Sequence, residues 1–165
     1  TLVDDMFETM YEANGVGLAA TQIAEPVRVL VIDLDPSKEA ADTPEIQDEL
    51  DAFLFKGAQE FINPKIVARQ GSIVWEEGCL SVPGYTDEVT RAEHIEIEAL
   101  NRNGEIFRLE AAGLYAVALQ HEIDHLDGKV FVQYLSRLKR DSVKRKMNKI
   151  KKSGIDDGVE AAANL

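Results

Sequence analysis

The chain has 165 residues, is 45% hydrophobic and carries a formal net charge of −12, which suits a single globular domain over residues 1–165 with a buried core. The negative charge disfavours non-specific nucleic-acid binding, and no apolar run approaches the roughly 20 residues that a membrane-spanning helix needs. The only cysteine, Cys79, cannot form an internal disulfide, so we expect a soluble protein of a reducing compartment.

In the amino-terminal half, apolar residues spaced three and four apart predict an amphipathic helix that ends at Asn14 and Gly15. The elements that follow are short and separated by turn-forming residues. In chain order, we predict a helix over 2–12, a loop of small residues over 15–22, a buried strand over 27–32, and strands over 61–69 and 72–75. The segment 33–60 is acidic and weakly patterned, with Pro36 and Pro44, and is predicted to be a surface insertion.

The carboxyl-terminal half contains a clear hairpin signal, because apolar and polar residues alternate on both sides of the sequence NRNG at 101–104. In chain order, we predict strands over 94–98 and 106–109, a helix over 113–126, a strand over 130–134, a basic helix over 137–152 and a flexible tail over 153–165. The apolar stripe of the last helix is predicted to consist of Leu138, Val143, Met147 and Ile150. This order of elements predicts an α+β fold, with short antiparallel sheets packed around a central helix and a C-terminal helix.

Charge is distributed unevenly along the chain. Residues 1–136 carry a net charge of −17, whereas residues 137–165 contain nine Lys and Arg against four Asp and Glu, a net charge of +5. An acidic body therefore ends in a basic segment.

The most informative stretch is LQHEIDHLDG at 119–128, on the predicted helix over 113–126. His121 and His125 lie about one helical turn apart, so both rings can bind one metal ion in front of the same face. Glu122 lies off that axis, where it can reach a water molecule at the metal and act as a general base. The alternative interpretation is a helix with two core or surface histidines beside a solvated glutamate. Apolar residues before the motif favour a buried setting, in which an unpaired imidazole is costly.

A third ligand has to come from elsewhere in the chain. One large class of metalloproteases continues the motif as HExxHxxGxxH, and Phe131 stands where its third histidine belongs, so that class is excluded. His94 lies in a predicted strand among charged neighbours and is expected to be exposed. Cys79 follows Gly78 at a strand end, where a thiolate can be presented. A buried inert thiol and a nucleophile paired with histidine are the alternatives. A Cys, His, His set with an open fourth position suits Zn(II) or Fe(II).

Three blocks of this sequence together resemble the three signature motifs of the bacterial peptide deformylases, in the same order. They are GVGLAATQ at 15–22, EGCLS at 77–81 and QHEIDH at 120–125, and the similarity covers most of the chain. The resemblance implies a metal-dependent hydrolase that removes the formyl group from the N-terminal formyl-methionine of new polypeptides and releases formate. A thiolate-ligated metallopeptidase and a non-catalytic metal-binding domain are the alternative functions.

The resemblance also implies a role for each matching residue. The implied metal ligands are Cys79, His121 and His125. Glu122 would take a proton from the attacking water and pass it to the leaving amine, while Gln22 and the backbone N–H of Leu80 would donate to the formyl oxygen. The residues implied along the peptide and around its methionine side chain are Gly15, Val16, Gly17, Trp75, Glu77, Gly78, Leu114, Val117 and Ala118. Asp124 is expected to support Arg91 or a ligand histidine.

The resemblance extends to cofactor and partners. It implies one divalent metal ion, Fe(II) in the cell, with Zn(II) or Ni(II) as alternatives in purified protein. Formyl-methionyl nascent peptides are the implied substrates of a cytoplasmic monomer without a membrane partner. By analogy, the basic helix over 137–152 would contact the ribosome, and a solvated amphipathic helix is the alternative. Thr86 departs from the family pattern, because many relatives carry a basic, substrate-contacting residue there.

Overall fold

The structure, a computed structural model, describes residues 1–34 and 57–153. The helices in these residues are α1 (Leu2–Glu12), α2 (Gly113–Leu126) and α3 (Arg137–Ser153). The strands are β1 (Gly17–Ala19), β2 (Val29–Ile32), β3 (Gln59–Gln70), β4 (Ile73–Glu77), β5 (Asp87–Arg91), β6 (His94–Leu100) and β7 (Ile106–Ala112). Short 3-10 helices are formed by Ala20–Ile23 and Phe131–Tyr134.

The strands of the described residues form two antiparallel sheets. Five strands lie in the order β1-β2-β3-β6-β7, and β4 pairs with β5 in a separate two-stranded sheet. The predicted hairpin is β6–β7, with Leu100 opposite Ile106 across the turn. These sheets, together with the three helices, confirm the α+β prediction.

Strand β2 shows why the larger sheet sits inside the molecule. Val29 and Val31 pack with α1, whereas Leu30 and Ile32 point to the opposite face and pack with α2. Because both faces of this strand are covered, its sequence VLVI is continuously apolar rather than alternating.

Helix α2 is the central element of the fold. All twelve residues from Tyr115 to Leu126 are buried, and a helix that is buried all round lies in a core rather than on a surface. One side of α2 packs against the five-stranded sheet, and its histidine-bearing side faces the Cys79 region at the end of β4. The fold thereby places the predicted motif helix between the two sheets.

Several local predictions are wrong, and the causes are tertiary contacts. The predicted loop over 15–22 contains β1, which pairs with β2, followed by a 3-10 helix. The predicted strand over 130–134 is the 3-10 helix Phe131–Tyr134. Phe131 is its buried residue, whereas Gln133, which would share a strand face with Phe131, is exposed, so the segment lacks the alternation of a half-buried strand. Strand β5 is missing from the prediction because its inward-facing residues are Val89 and the charged Arg91.

Three further outcomes concern the last helix, the predicted insertion and the predicted tail. Leu138 is 82% exposed, so it lies outside the buried stripe of α3. Of the predicted insertion over 33–60, residues 35–56 lie outside the described residues, while Gln59 and Glu60 belong to β3. Residues 154–165 of the predicted tail also lie outside them. No helix among residues 1–34 and 57–153 is long and apolar enough to cross a membrane.

Candidate metal centre

The two motif histidines converge as the helical spacing predicts. His121 and His125 are buried, and their Nε2 atoms lie 3.1 Å apart with the rings nearly perpendicular, at 78°. Such close approach of two imidazole nitrogens in a buried site needs either a shared proton or a shared metal ion.

Cys79 completes a three-residue cluster. It follows Gly78 directly after β4, and its Sγ lies 3.2 Å from His125 Nε2. The ligand atoms of Cys79, His121 and His125 all lie within 4.8 Å of one another. A tetrahedral metal with bonds of about 2.0–2.3 Å separates its ligand atoms by roughly 3.3–3.6 Å. The donor set and its spacing therefore fit a divalent metal ion.

The surroundings of Cys79 favour the thiolate form of its side chain. Burial raises its pKa, but hydrogen bonds and charge from His121 and His125 outweigh burial and lower the pKa to about 6. The backbone N–H of Ser81 also donates to Sγ over 3.4 Å. A thiolate is the form that binds metal, so metal binding here would displace the proton that the thiolate shares with the histidines.

A buried ion-pair network orients His121. The Nδ1 of His121 lies 2.8 Å from Glu77 Oε2, which fixes Nδ1 as the donor and leaves the Nε2 lone pair for a metal. Arg91 binds both oxygens of Glu77 over 2.6 and 2.9 Å, and its Nη1 donates to Asp124 over 2.5 Å. The predicted support of Arg91 by Asp124 is thus observed. Tyr134 donates to the same Asp124 oxygen over 2.8 Å.

Glu77 lies at the centre of this network. The sequence interpretation places Glu77 beside the methionine of the substrate, but its side chain is fully buried and both its oxygens are bound by Arg91 and His121. Glu77 therefore supports His121, and its contact with the methionine of the substrate stays a prediction. The signal that the sequence offers for Arg91 is its spacing of two from the buried Val89.

Glu122 is held in an unusual environment. Its Oε2 atom is buried and has no hydrogen-bond partner among the described residues. Burial raises the pKa of Glu122 to about 7, although His121 and His125 act in the opposite direction. The carboxylate packs directly against Gly17, where an added Cβ would lie 2.5 Å from Oε1. A carboxyl group with a pKa near neutrality can both accept and return a proton.

The side chain of Gln22 is oriented by a hydrogen bond from the backbone of Ala19. Its Oε1 accepts from the N–H of Ala19 over 2.8 Å, so its NH₂ group must point the other way. One of the two amide hydrogens is directed to Ser81 Oγ, over 3.2 Å. The second hydrogen remains for a ligand. Ser81, which the sequence interpretation did not assign, thus contacts both the Gln22 amide and the Cys79 sulfur.

These residues line one small pocket. Its lining consists of Gly15, Val16, Gly17, Gln22, Gly78, Cys79, Leu80, His121 and Glu122. All three sequence blocks contribute, although they lie far apart in the chain. Five predicted substrate residues are not in this lining. Glu77, Val117 and Ala118 are fully buried, and Trp75 and Leu114 are half-buried.

The comparisons with known proteins agree with one another. A family model described as polypeptide deformylase matches residues 1–141. The peptide deformylase of Neisseria gonorrhoeae is 51% identical over 154 residues, which are 93% of this chain and 82% of that protein. Peptide deformylase 2 of Xanthomonas campestris pv. campestris is 49% identical over 152 residues, 92% of this chain and 79% of that protein. A peptide deformylase crystal structure from Legionella pneumophila aligns with a TM-score of 0.76 at 44% identity, covering 95% of this chain and 83% of that chain.

Proposed function

This chain belongs to the peptide deformylase family, and we propose that Cys79, His121 and His125 hold its catalytic metal ion. As a member of the family it is a hydrolase that removes the N-formyl group from formyl-methionine peptides during protein biosynthesis. The observation that carries the ligand assignment is the convergence of one thiolate and two imidazole nitrogens within 4.8 Å. Family membership sets aside the metallopeptidase and the non-catalytic binding domain as functions.

The metal, when bound, polarises the formyl oxygen and lowers the pKa of a water molecule. One thiolate and two neutral imidazoles leave about one positive charge at the site, which favours this chemistry. We propose Fe(II) as the ion in the cell, with Zn(II) or Ni(II) in purified protein, since this donor set suits all three.

Glu122 is the proposed proton carrier. Its carboxyl group lines the pocket beside His121, and its pKa of about 7 suits a group that first accepts a proton and then donates it. It takes the proton from the attacking water and delivers it to the amine that leaves when the C–N bond breaks. The missing partner of Oε2 supports this role, because that oxygen is available to a water or to the substrate nitrogen.

Gln22 and Leu80 are the proposed donors to the formyl oxygen. The free amide hydrogen of Gln22 and the backbone N–H of Leu80 belong to residues that line the same pocket. Donors that are fixed before the reaction stabilise a developing oxyanion by about 3 kcal/mol each in other hydrolases. The Ala19 N–H that anchors Gln22 supplies this fixation.

The peptide is proposed to lie along the amino-terminal block. Gly15, Val16 and Gly17 form one wall of the pocket, and Gly78 lies on the other side with Cys79. For the methionine side chain we propose the α2 face that carries His121. The residues on this face, at spacings of seven, four and three before His121, are Leu114, Val117 and Ala118. Trp75, half-buried on β4, is proposed to close this pocket.

Partner and location follow from the same activity. We propose that the enzyme works on nascent chains in the cytoplasm as a monomeric catalytic domain, and that α3 contacts the ribosome. Helix α3 contains nine Lys and Arg against the single acidic Asp141, which suits a phosphate-rich surface.

The decisive experiment is a formate-release assay on anaerobically prepared protein loaded with Fe(II) or Ni(II). We expect formate from a formyl-Met peptide, no turnover with Glu122→Ala, and an unchanged metal content in that variant. Cys79→Ser is expected to lose metal under the same conditions.

Two outcomes would contradict the residue assignment. Turnover by Glu122→Ala near the parent rate would exclude Glu122 as the proton carrier. An unchanged metal content in Cys79→Ser would remove Cys79 from the ligand set. His94→Ala is the matched control, because His94 is exposed on β6 and its loss should leave both measurements unchanged.

A further inference from the structure

The inner face of α3 packs on the same apolar cluster that contains a proposed metal ligand. Val143 is buried with Cys79, Val82, Val89, Phe131 and Leu135, and Met147 packs against this cluster. Lys139 and Lys146 lie four residues before and three residues after Val143, so they flank it on the same face of the helix. Two of the nine basic side chains of α3 therefore point toward the body of the protein.

These two lysines contact the segment 82–87, which follows the EGCLS block. The Nζ of Lys139 donates to Asp87 Oδ1 over 2.6 Å, and the Nζ of Lys146 donates to the carbonyl oxygen of Gly84. Lys146 also lies over the ring of Tyr85, at 6.0 Å. The other oxygen of Asp87 accepts from the Tyr85 hydroxyl over 2.8 Å. The hydrogen bond from Lys139 is the main cause that lowers the pKa of Asp87, so Asp87 is charged in this contact.

Segment 82–87 is in turn packed against the proposed metal ligands, His121 and Cys79. Tyr85 stacks on Phe131 with ring centroids 6.4 Å apart, and Phe131 stacks on His121 with centroids 6.3 Å apart. At its other end, the segment begins with the N–H of Val82 donating to the carbonyl of Cys79 over 2.9 Å. Movement of the segment is therefore transmitted to both His121 and Cys79.

We propose that Lys139 and Lys146 are positioning residues, which hold the segment 82–87 against the metal ligands and so slow the loss of the metal ion. We call the contacts of Lys139 with Asp87 and of Lys146 with Gly84 the helix clamp. The inference rests on the ligand set proposed above and is independent of ribosome contact. It assigns the basic helix a role in the catalytic site, in addition to any role at its outer surface.

The helix provides its own controls. Lys144 and Lys149 are exposed on α3, and neither has a side-chain hydrogen bond or ion pair within residues 1–34 and 57–153. A double variant Lys144→Ala/Lys149→Ala removes the same charge as Lys139→Ala/Lys146→Ala without touching the clamp. Lys139→Arg/Lys146→Arg retains charge and donors, and should restore parent behaviour.

The test is amide hydrogen exchange over residues 82–88 of the metal-free protein, together with the rate of Fe(II) or Ni(II) loss to a chelator from the loaded protein. In Lys139→Ala/Lys146→Ala we expect both rates to rise about fivefold to tenfold, the scale of two partly exposed ionic hydrogen bonds. Lys144→Ala/Lys149→Ala should leave both rates unchanged. An equal increase in this control, or no increase in the clamp variant, would overturn the inference.

Asp87→Asn is a second variant, for the case in which α3 of the double lysine variant does not pack against the protein. It removes the negative charge from the Lys139 contact on the segment's side and leaves α3 intact, so it should raise both rates and add nothing when combined with Lys139→Ala. Additive effects would contradict a shared contact. Because exchange is measured without metal, failure of the clamp and failure of the ligand set give different results.

Discussion

Gly17 shows how closely the proposed catalytic carboxylate of Glu122 is packed. The backbone torsion of Gly17 lies outside the left-handed region that requires glycine. What requires glycine is space, since a Cβ atom would come within 2.5 Å of Glu122 Oε1 and 2.9 Å of its Cγ. The first sequence block therefore limits the position of Glu122, the proposed proton carrier, in the third block.

We predict that Gly17→Ala lowers kcat/KM about 100-fold, at the lower end of what a positioned general base contributes. The added methyl group must displace Glu122, while the metal ligands are untouched, so metal content should equal that of the parent. Steady-state kinetics with metal analysis measures both quantities.

Gly15→Ala is the matched control for this prediction. Its Cβ would meet Leu80 Cδ1 at 3.2 Å, and the end of a leucine side chain can rotate away. We expect a change of no more than a few-fold. Equal losses in the two variants would show that the first block acts through the peptide rather than through Glu122.

Phe131 packs its ring against one of the two motif histidines. It stands where one metalloprotease class has its third histidine, and here it is buried with its ring stacked on that of His121, the planes 25° apart. An apolar ring at this point excludes a fourth protein ligand from that side. The proposed third ligand is instead Cys79, which lines the pocket together with Glu122 and Gln22.

At the scale of elements, two residues hold the carboxyl end of α2. They are Thr21, in the first sequence block, and Arg28, which directly precedes β2. Thr21 Oγ1 donates to the backbone carbonyl of His125 over 2.9 Å, and Arg28 donates to the carbonyl of Leu126 and to the carboxylate of Asp127. A cation and donors at a helix carboxyl terminus satisfy the free carbonyls and oppose the helix dipole. The last turn, which carries His125, is thereby held.

Helix α3 has two distinct faces. All nine of its basic residues are exposed, but Lys139 and Lys146 donate to Asp87 and Gly84 of the protein body. Three of the others, Lys144, Arg145 and Lys149, are available to a partner. We predict that Lys144→Ala/Arg145→Ala/Lys149→Ala weakens co-sedimentation with ribosomes and leaves formate release from a free peptide unchanged. Each lost phosphate contact also reduces the steepness of the salt dependence by about one. Unchanged co-sedimentation would restrict α3 to its inward-facing role.

At the scale of the whole molecule, an acidic body carries a basic helix. The net charge is −17 for residues 1–136 and +5 for residues 137–165. Such separation orients the molecule near a polyanion, with the basic helix toward it and the acidic body away. The body should also attract cationic peptides, because its field extends over about a Debye length, roughly 10 Å at 0.1 M salt.

We therefore predict opposite salt dependences for two formyl peptides that differ only after the second residue. The kcat/KM for formyl-Met-Ala-Lys-Lys should fall several-fold between about 0.02 and about 0.2 M salt, and that for formyl-Met-Ala-Glu-Glu should rise. Parallel changes for both peptides would show that the net charge of the body does not reach the site.

The elements with strong periodic patterns could be predicted from the sequence. Helices α1 and α2 and the β6–β7 hairpin follow directly from apolar spacing and turn residues, because each buries a regular face of its own. Strand β1 and the 3-10 helix at 131–134 could not be predicted, because their conformation depends on β2 and on the packing of Phe131. The buried Arg91 hid β5, since a charged residue at an inward position breaks the apolar alternation.

The sequence by itself determined the family, because three short blocks have specific residue types in a specific order. The same blocks predicted the metal ligands and the general base. Only the tertiary structure decided how these groups are supported. It placed Glu77 against His121 and Arg91, bound Arg91 to Asp124 as well, and set Gly17 against Glu122. Buried charges and close contacts depend on partners far apart in the chain, and local sequence patterns carry no record of such pairings.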